Sequence, residues 1–81
     1  MISNPENDTK LAKIAGKVII DGRDPRDDFA SILVTAEHVM AVILILTMGG
    51  NVRKAARMLN EGFLQGVEER LALYAKGEIN L

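Results

Sequence analysis

The chain contains no cysteine and no tryptophan. Without thiols, disulfide scaffolds, thiolate zinc sites, iron–sulfur clusters and cysteine nucleophiles are excluded. Aromatic residues make up only 4% of the sequence, so the 48% that is hydrophobic is overwhelmingly aliphatic. Charge of one sign is also missing: ten basic and eleven acidic side chains leave a formal net charge of −1. No global field therefore draws the chain to nucleic acid or to anionic lipid, and charge-driven binding has to come from a local patch.

Catalytic constellations are equally thin. Serine occurs at Ser3 and Ser31, neither within a glycine-flanked elbow. His38 is the one histidine, and a metal held there would need carboxylates such as Glu37 or a partner chain's side chains. We expect instead a histidine hydrogen-bonded at the edge of an interface. Asp27-Asp28 and Glu68-Glu69 are adjacent pairs. Neighbours on a helix diverge, so neither pair shares a site as an acid/base dyad would. The expectation is a protein that is not an enzyme and takes no cofactor or metal.

Long hydrophobic runs are absent too. The longest, Val39 to Leu46, is eight residues and is preceded by His38, Glu37 and Thr35. A bilayer span needs roughly 18 or more. Met1 to Thr9 is polar and acidic, unlike the basic and then apolar order of a secretory signal. These features predict a cytoplasmic protein with no membrane segment.

At 81 residues the chain is one small domain, able to bury roughly 60–65% of the surface its unfolded form exposes. Residues 1–8 have almost nothing to bury and are expected to be a flexible tail, leaving 9–81 as the helical domain. Asp21 to Asp28, DGRDPRDD, packs six charges around a glycine and a proline and reads as a loop. Gly49-Gly50-Asn51 reads as a helix stop followed directly by a helix start.

Between these breaks lie three helical segments. From about Thr9 to Ile20, Leu11, Ile14, Ala15, Val18 and Ile19 share a face, with Lys10, Lys13 and Lys17 on another. Gly16 weakens this helix, and Lys17 to Ile20 also suits a strand. The second segment runs from about Pro25 to Met48: Asp24 is a good N-cap, Pro25 suits the first helical position, and Asp27 sits where a capping-box acid reaches back. Gly49 would end it in the left-handed conformation. The third opens at Asn51 and runs to about Lys76, before Gly77, with Val52, Ala55, Ala56, Leu59, Phe63, Val67, Leu71 and Tyr74 in its apolar stripe. Asn60-Glu61-Gly62 could instead break it into two helices at an angle.

The second half of segment two carries the main inference. Consecutive helical residues point about 100° apart, so eight apolar ones in a row cover the whole circumference. Such a helix must be surrounded, and two further helices in a chain this short cannot do it. A buried strand containing Val42, Ile43 and Ile45 is the alternative, disfavoured by the upstream cap and stripe. The expected fold is all-α: a short N-terminal helix plus a long antiparallel helical hairpin, assembled as a homodimer or larger homo-oligomer. Val39, Val42, Ile43 and Leu46 would form the contact between copies. Gly62 and Gly66, spaced GxxxG, would join them by letting another backbone approach.

Arg53, Lys54 and Arg57 form a basic cluster in the first turns of segment three, where the helix dipole already favours negative charge. They are candidates to hold an acidic patch or a phosphate. Alternatively they pair with Glu61 or with the aspartate-rich loop of the same or another chain. Together with Asp24, Asp27 and Asp28 they are the expected partner surface.

Gly50 to Leu59, GNVRKAARML, resembles the GN-x-x-x-AA-x-x-L opening of the helix-turn-helix in the factor for inversion stimulation and related regulators. That resemblance covers ten residues and implies a following basic recognition helix that enters the major groove. Here Asn60 to Leu73 carries Glu61, Glu68 and Glu69 against Arg70 alone, which repels DNA phosphate. The expected function is a small cytoplasmic interaction protein that oligomerises and regulates or inhibits a larger protein complex. Its size and economy fit an inhibitor encoded by a phage or mobile element. The rival readings are a DNA-binding regulator and an oligomer that binds a small anion or nucleotide at the start of segment three.

Overall fold

The computed structural model describes residues 5–81, and every described element is helical. Helix α1 spans Pro5–Ile20, α2 Phe29–Thr47, α3 Val52–Met58 and α4 Leu64–Ala75; α3 and α4 are joined by a π-helical turn, Leu59–Phe63. The predicted all-α class therefore holds, and Lys17 to Ile20 belongs to α1 rather than to a strand. Two compact units divide the chain at His38 and Val39, within the uninterrupted α2.

In the first unit, α1 opens at Pro5, four residues earlier than its sequence pattern suggests, with Glu6 and Asp8 in the first turn and Lys17 in the last. Both signs suit the helix dipole. Of the expected tail, residues 5–8 are helical, and residues 1–4 lie outside the described residues. The helix stops at Asp21 and Gly22, with φ of 50° and 74°. Glycine enters that left-handed region without cost, whereas Asp21 is one of the few residue types that tolerate it.

Arg23 then fastens the loop. Its guanidinium donates to the carbonyls of Ile19 and Ile20, to Ser31 Oγ at 2.8 Å and to Thr35 Oγ1 at 3.3 Å. One half-buried cation thus satisfies the C-terminal carbonyls of α1 and grips two successive turns of α2.

The start of α2 corrects the sequence reading. The helix begins at Phe29, not Pro25, because residues 25–28 form turns. Asp24 does act as a cap, its Oδ1 accepting from the amides of Arg26 and Asp27 at 2.8 and 3.3 Å. The acid that reaches back is Asp28, whose Oδ2 accepts from the Asp24 amide at 3.1 Å, rather than Asp27. A carboxylate that binds the second amide after it closes an Asx-type turn and competes with helix at that point.

In the second unit, α2 ends as its glycines predict. Gly50 N donates to Ile45 O at 2.8 Å and Gly49 N to Leu46 O at 3.3 Å, with φ of 83° and 65° at the two glycines. This pair of bonds is the Schellman arrangement, which needs a left-handed residue just past the helix. Asn51 then caps α3, its Oδ1 accepting from the Lys54 amide at 3.0 Å. Gly77 ends α4 with a second Schellman pair, Gly77 N to Tyr74 O and Glu78 N to Leu73 O.

Between the caps, the helix from Val52 to Ala75 neither breaks at Asn60-Glu61-Gly62 nor stays regular. Met58, Leu59, Phe63 and Leu64 all keep right-handed helical backbone, and the Leu64 amide reaches back five residues to Leu59 O. Asn60 Nδ2 donates to Ala56 O at 3.3 Å, covering a carbonyl beside the widened turn.

Very little is covered by all this. Among the described residues only Leu44 and Ala55, 7% and 5% exposed, are buried. Leu11, Ile14 and Val18, expected to form the inner face of α1, are at least half exposed, while Lys13 and Gly16 lie on its more covered side.

Candidate functional site

Fifteen large hydrophobic side chains among the described residues are exposed, among them Leu33, Val34, Val42, Ile43 and Leu46 of α2, the longest helix. Along α2, every fourth residue from Ala30 to Leu46 is exposed: Ala30, Val34, His38, Val42 and Leu46. Val34 is 63%, Val42 44% and Leu46 72% open to solvent. Each step of four residues turns about 40° past a full turn, so these five residues wind about 160° round the helix and exposure is not confined to one face. Ile32, Ala36 and Met40 are half-buried and Leu44 is buried. Of the residues expected between copies, Val42, Ile43 and Leu46 are exposed and Val39 is half-buried.

Gly62 is exposed and Gly66 half-buried. A Cβ added at Gly62 would lie 3.4 Å from Met58 Sδ, and one at Gly66 3.4 Å from Arg70 Nη1. Arg70 itself donates to Gly66 O at 3.0 Å. Both neighbours are flexible side-chain tips from the same helical stretch, and among the described residues no other backbone comes within 4 Å of either added Cβ.

The basic cluster is fully presented. Arg53, Lys54 and Arg57 are exposed, and no side chain among the described residues pairs with them. The i+4 pairing of Arg57 with Glu61 is not formed; Glu61 lies in the π turn, where α-helical spacing is lost. The three cations can therefore meet an acidic surface without first breaking a contact.

The acidic loop is divided in its availability. Asp24 and Asp28 spend carboxylate oxygens on backbone amides of the turn, whereas Asp27 accepts no hydrogen bond within the described chain. All three are exposed. The single chain brings no acidic triplet together: no group of three His, Asp or Glu residues among those described is placed to hold a metal.

Glu37 and His38 sit side by side at the middle of α2, both exposed and neither hydrogen-bonded by its side chain among the described residues. The interruption they make does not remove α2 from consideration as a span. Its nineteen residues are long and apolar enough to cross a membrane by length and composition, which the run-length reading missed by counting only uninterrupted residues. The core helix of a soluble protein and a signal sequence pass the same test.

Sequence reasoning overlooked Arg23. Its signal was available: Ser31 and Thr35 are spaced i, i+4 on one face of α2, eight and twelve residues beyond a loop arginine. Comparison with known protein families, with curated proteins and with solved structures finds no match to this chain.

Proposed function

We propose that this chain is a small, non-catalytic interaction protein that assembles with copies of itself and regulates or inhibits a larger protein complex. One observation carries the reading: among the described residues only Leu44 and Ala55 are buried, while Val34, Val42, Ile43 and Leu46 of a single helix stand open to solvent. Exposed aliphatic side chains in such number favour a covering partner, because fully burying one is worth about 1.5–3 kcal/mol and these, 43–72% exposed, forgo roughly half of it. In this reading α2 and the helix from Val52 form an antiparallel hairpin, the expected consequence of so short a connection.

Binding to the larger partner falls to the unpaired Arg53, Lys54 and Arg57 with the loop from Asp24 to Asp28. Duplex DNA is the weaker candidate for that cluster, since the helix that follows carries Glu68 and Glu69.

Absolute solution mass by light scattering behind size exclusion, across a range of concentrations, tests self-assembly. A stable multiple of 8.8 kDa is expected, and a monomer at every concentration overturns the reading. Arg53→Glu with Arg57→Glu is expected to leave helicity intact by circular dichroism and to abolish capture of the cognate complex.

A further inference from the structure

Helix α3 carries charge of the sign its own dipole disfavours. The start of a helix is its positive end, where acidic side chains stabilise and cations are costly. In α1 that preference is met, with Glu6 and Asp8 in the first turn. In α3 the first turn holds no acid; Arg53 and Lys54 stand in it, and Arg57 follows one turn later. No acidic side chain among the described residues pairs with any of the three. Three cations are thus held at an unfavourable place without a counter-charge.

The side chains beside them complete a face. At 100° per residue, Ala56 and Arg53 point about 60° apart, Val52 lies about 40° beyond Ala56, and Arg57 about 40° beyond Arg53. All four are exposed, Val52 by 65%. They form two adjacent columns, an apolar one of Val52 and Ala56 and a cationic one of Arg53 and Arg57. Within each column the members are about 6 Å apart along the axis. The buried residue of α3, Ala55, points about 160° away from both arginines, so whatever covers Ala55 leaves them accessible.

Resting on the partner-binding role given above to the basic cluster, we infer that this face binds an acidic amphipathic helix of a partner protein. Its aliphatic side chains sit on Val52 and Ala56, and its carboxylates on Arg53 and Arg57. Carboxylates four residues apart on a helix recur at the same 6 Å as the two arginines, and each guanidinium can hold one through two parallel hydrogen bonds. An extended strand turns alternate side chains to opposite sides; it could set acids on the arginines but has no second column for Val52 and Ala56. Nucleic acid fits less well, because it is charged along its whole length. Glu61, Glu68 and Glu69 follow within about 18 Å of Arg57 along the helix and repel it.

The probe is a fluorescent peptide of about 15 residues, long enough to be partly helical, with two Leu-Glu pairs four residues apart on an alanine and glutamine background. Its anisotropy is followed on titration with the full chain at low and at physiological salt. We expect binding that is lost when glutamine replaces both glutamates of the probe and weakened when serine replaces both leucines. Arg53→Gln with Arg57→Gln is expected to weaken it about tenfold or more, with helicity by circular dichroism unchanged. The changes made in the probe keep the test valid whatever a variant does to folding.

No binding at low salt, equal affinity for the glutamate and glutamine probes, or no loss in the arginine variant each overturns the acidic helix as partner. Tighter binding of a duplex oligonucleotide than of the peptide assigns the cluster to nucleic acid instead. If the peptide does not bind but charge reversal at Arg53 and Arg57 abolishes capture of the cognate complex, the cluster remains the partner surface and only its acidic-helix chemistry falls. If the peptide binds while capture survives charge reversal, the role in the larger complex falls and the acidic-helix site stands.

Discussion

Leu46 offers the sharpest test of how the exposed helix is used. In the single chain its side chain is 72% exposed, so truncation to alanine removes almost nothing the isolated fold has already gained. Alanine is also the best helix former, and the last turn of α2 keeps its backbone bonds. If a second copy covers the residue, the account changes. Fully burying a leucine is worth about 1.5–3 kcal/mol, so the uncovered share leaves about 1–2 kcal/mol per chain to be gained on assembly. Two-fold symmetry doubles this to about 2–4 kcal/mol per dimer, roughly 30- to 1,000-fold in dissociation constant. The assay is sedimentation equilibrium over a dilution series, with circular dichroism to show that helicity is retained. A dissociation constant within threefold of the parent's would refute the view that Leu46 lies between copies.

Further expectations concern the joints of the fold. Arg23→Ala removes charge-assisted bonds to Ile19, Ile20, Ser31 and Thr35 and should cost about 1–3 kcal/mol in urea unfolding, with amide exchange accelerating first at the end of α1. Arg23→Lys should recover little of this, since a compact ammonium cannot span both helices as the guanidinium fork does. Gly50→Ala places a Cβ at φ of 83° and should lower stability by about 1–2 kcal/mol; a thermal melt unchanged within error would contradict the assigned Schellman geometry. Gly62→Ala should raise stability by about 0.5–1 kcal/mol, because the added methyl meets only the tip of Met58 at 3.4 Å. Destabilisation there, growing with protein concentration, would mean that another copy's backbone rests on Gly62.

Much of the helical outline could be read from capping chemistry alone. Asn51, Gly49 and Gly77 act as their residue types dictate, because a cap needs only the local chain to form. Where two local options compete, the outline fails. Asp24 can cap a helix or close a local turn, and the Asx turn it closes on the Arg26 amide wins, so that α2 opens at Phe29, four residues after Pro25. The π turn was illegible for another reason: Asn60 and Gly62 announce a disturbance, but whether it breaks or widens the helix depends on a single backbone bond, Leu64 to Leu59. Of the candidate surface, the exposed Val42, Ile43 and Leu46 follow directly from eight apolar residues in succession. The role of Arg23 does not follow from periodicity at all, since a long side chain in a loop finds its partners through space.

The widened turn between α3 and α4 also corrects a phase. Ala55, Leu59, Phe63 and Val67 recur every fourth residue, and in a regular helix such a row drifts by about 40° per step, carrying Val67 about 120° away from Ala55. One residue more in a single turn holds everything beyond it back by about 100°, which returns Val67 and Tyr74 to within about 20° of the side on which Ala55 is buried. The irregularity thus keeps a four-residue repeat on one flank of a helix whose own period is shorter. Removing one residue from Leu59–Phe63 would restore an unbroken α-helix and separate the two halves of that flank, leaving helicity intact while erasing the surface written along it.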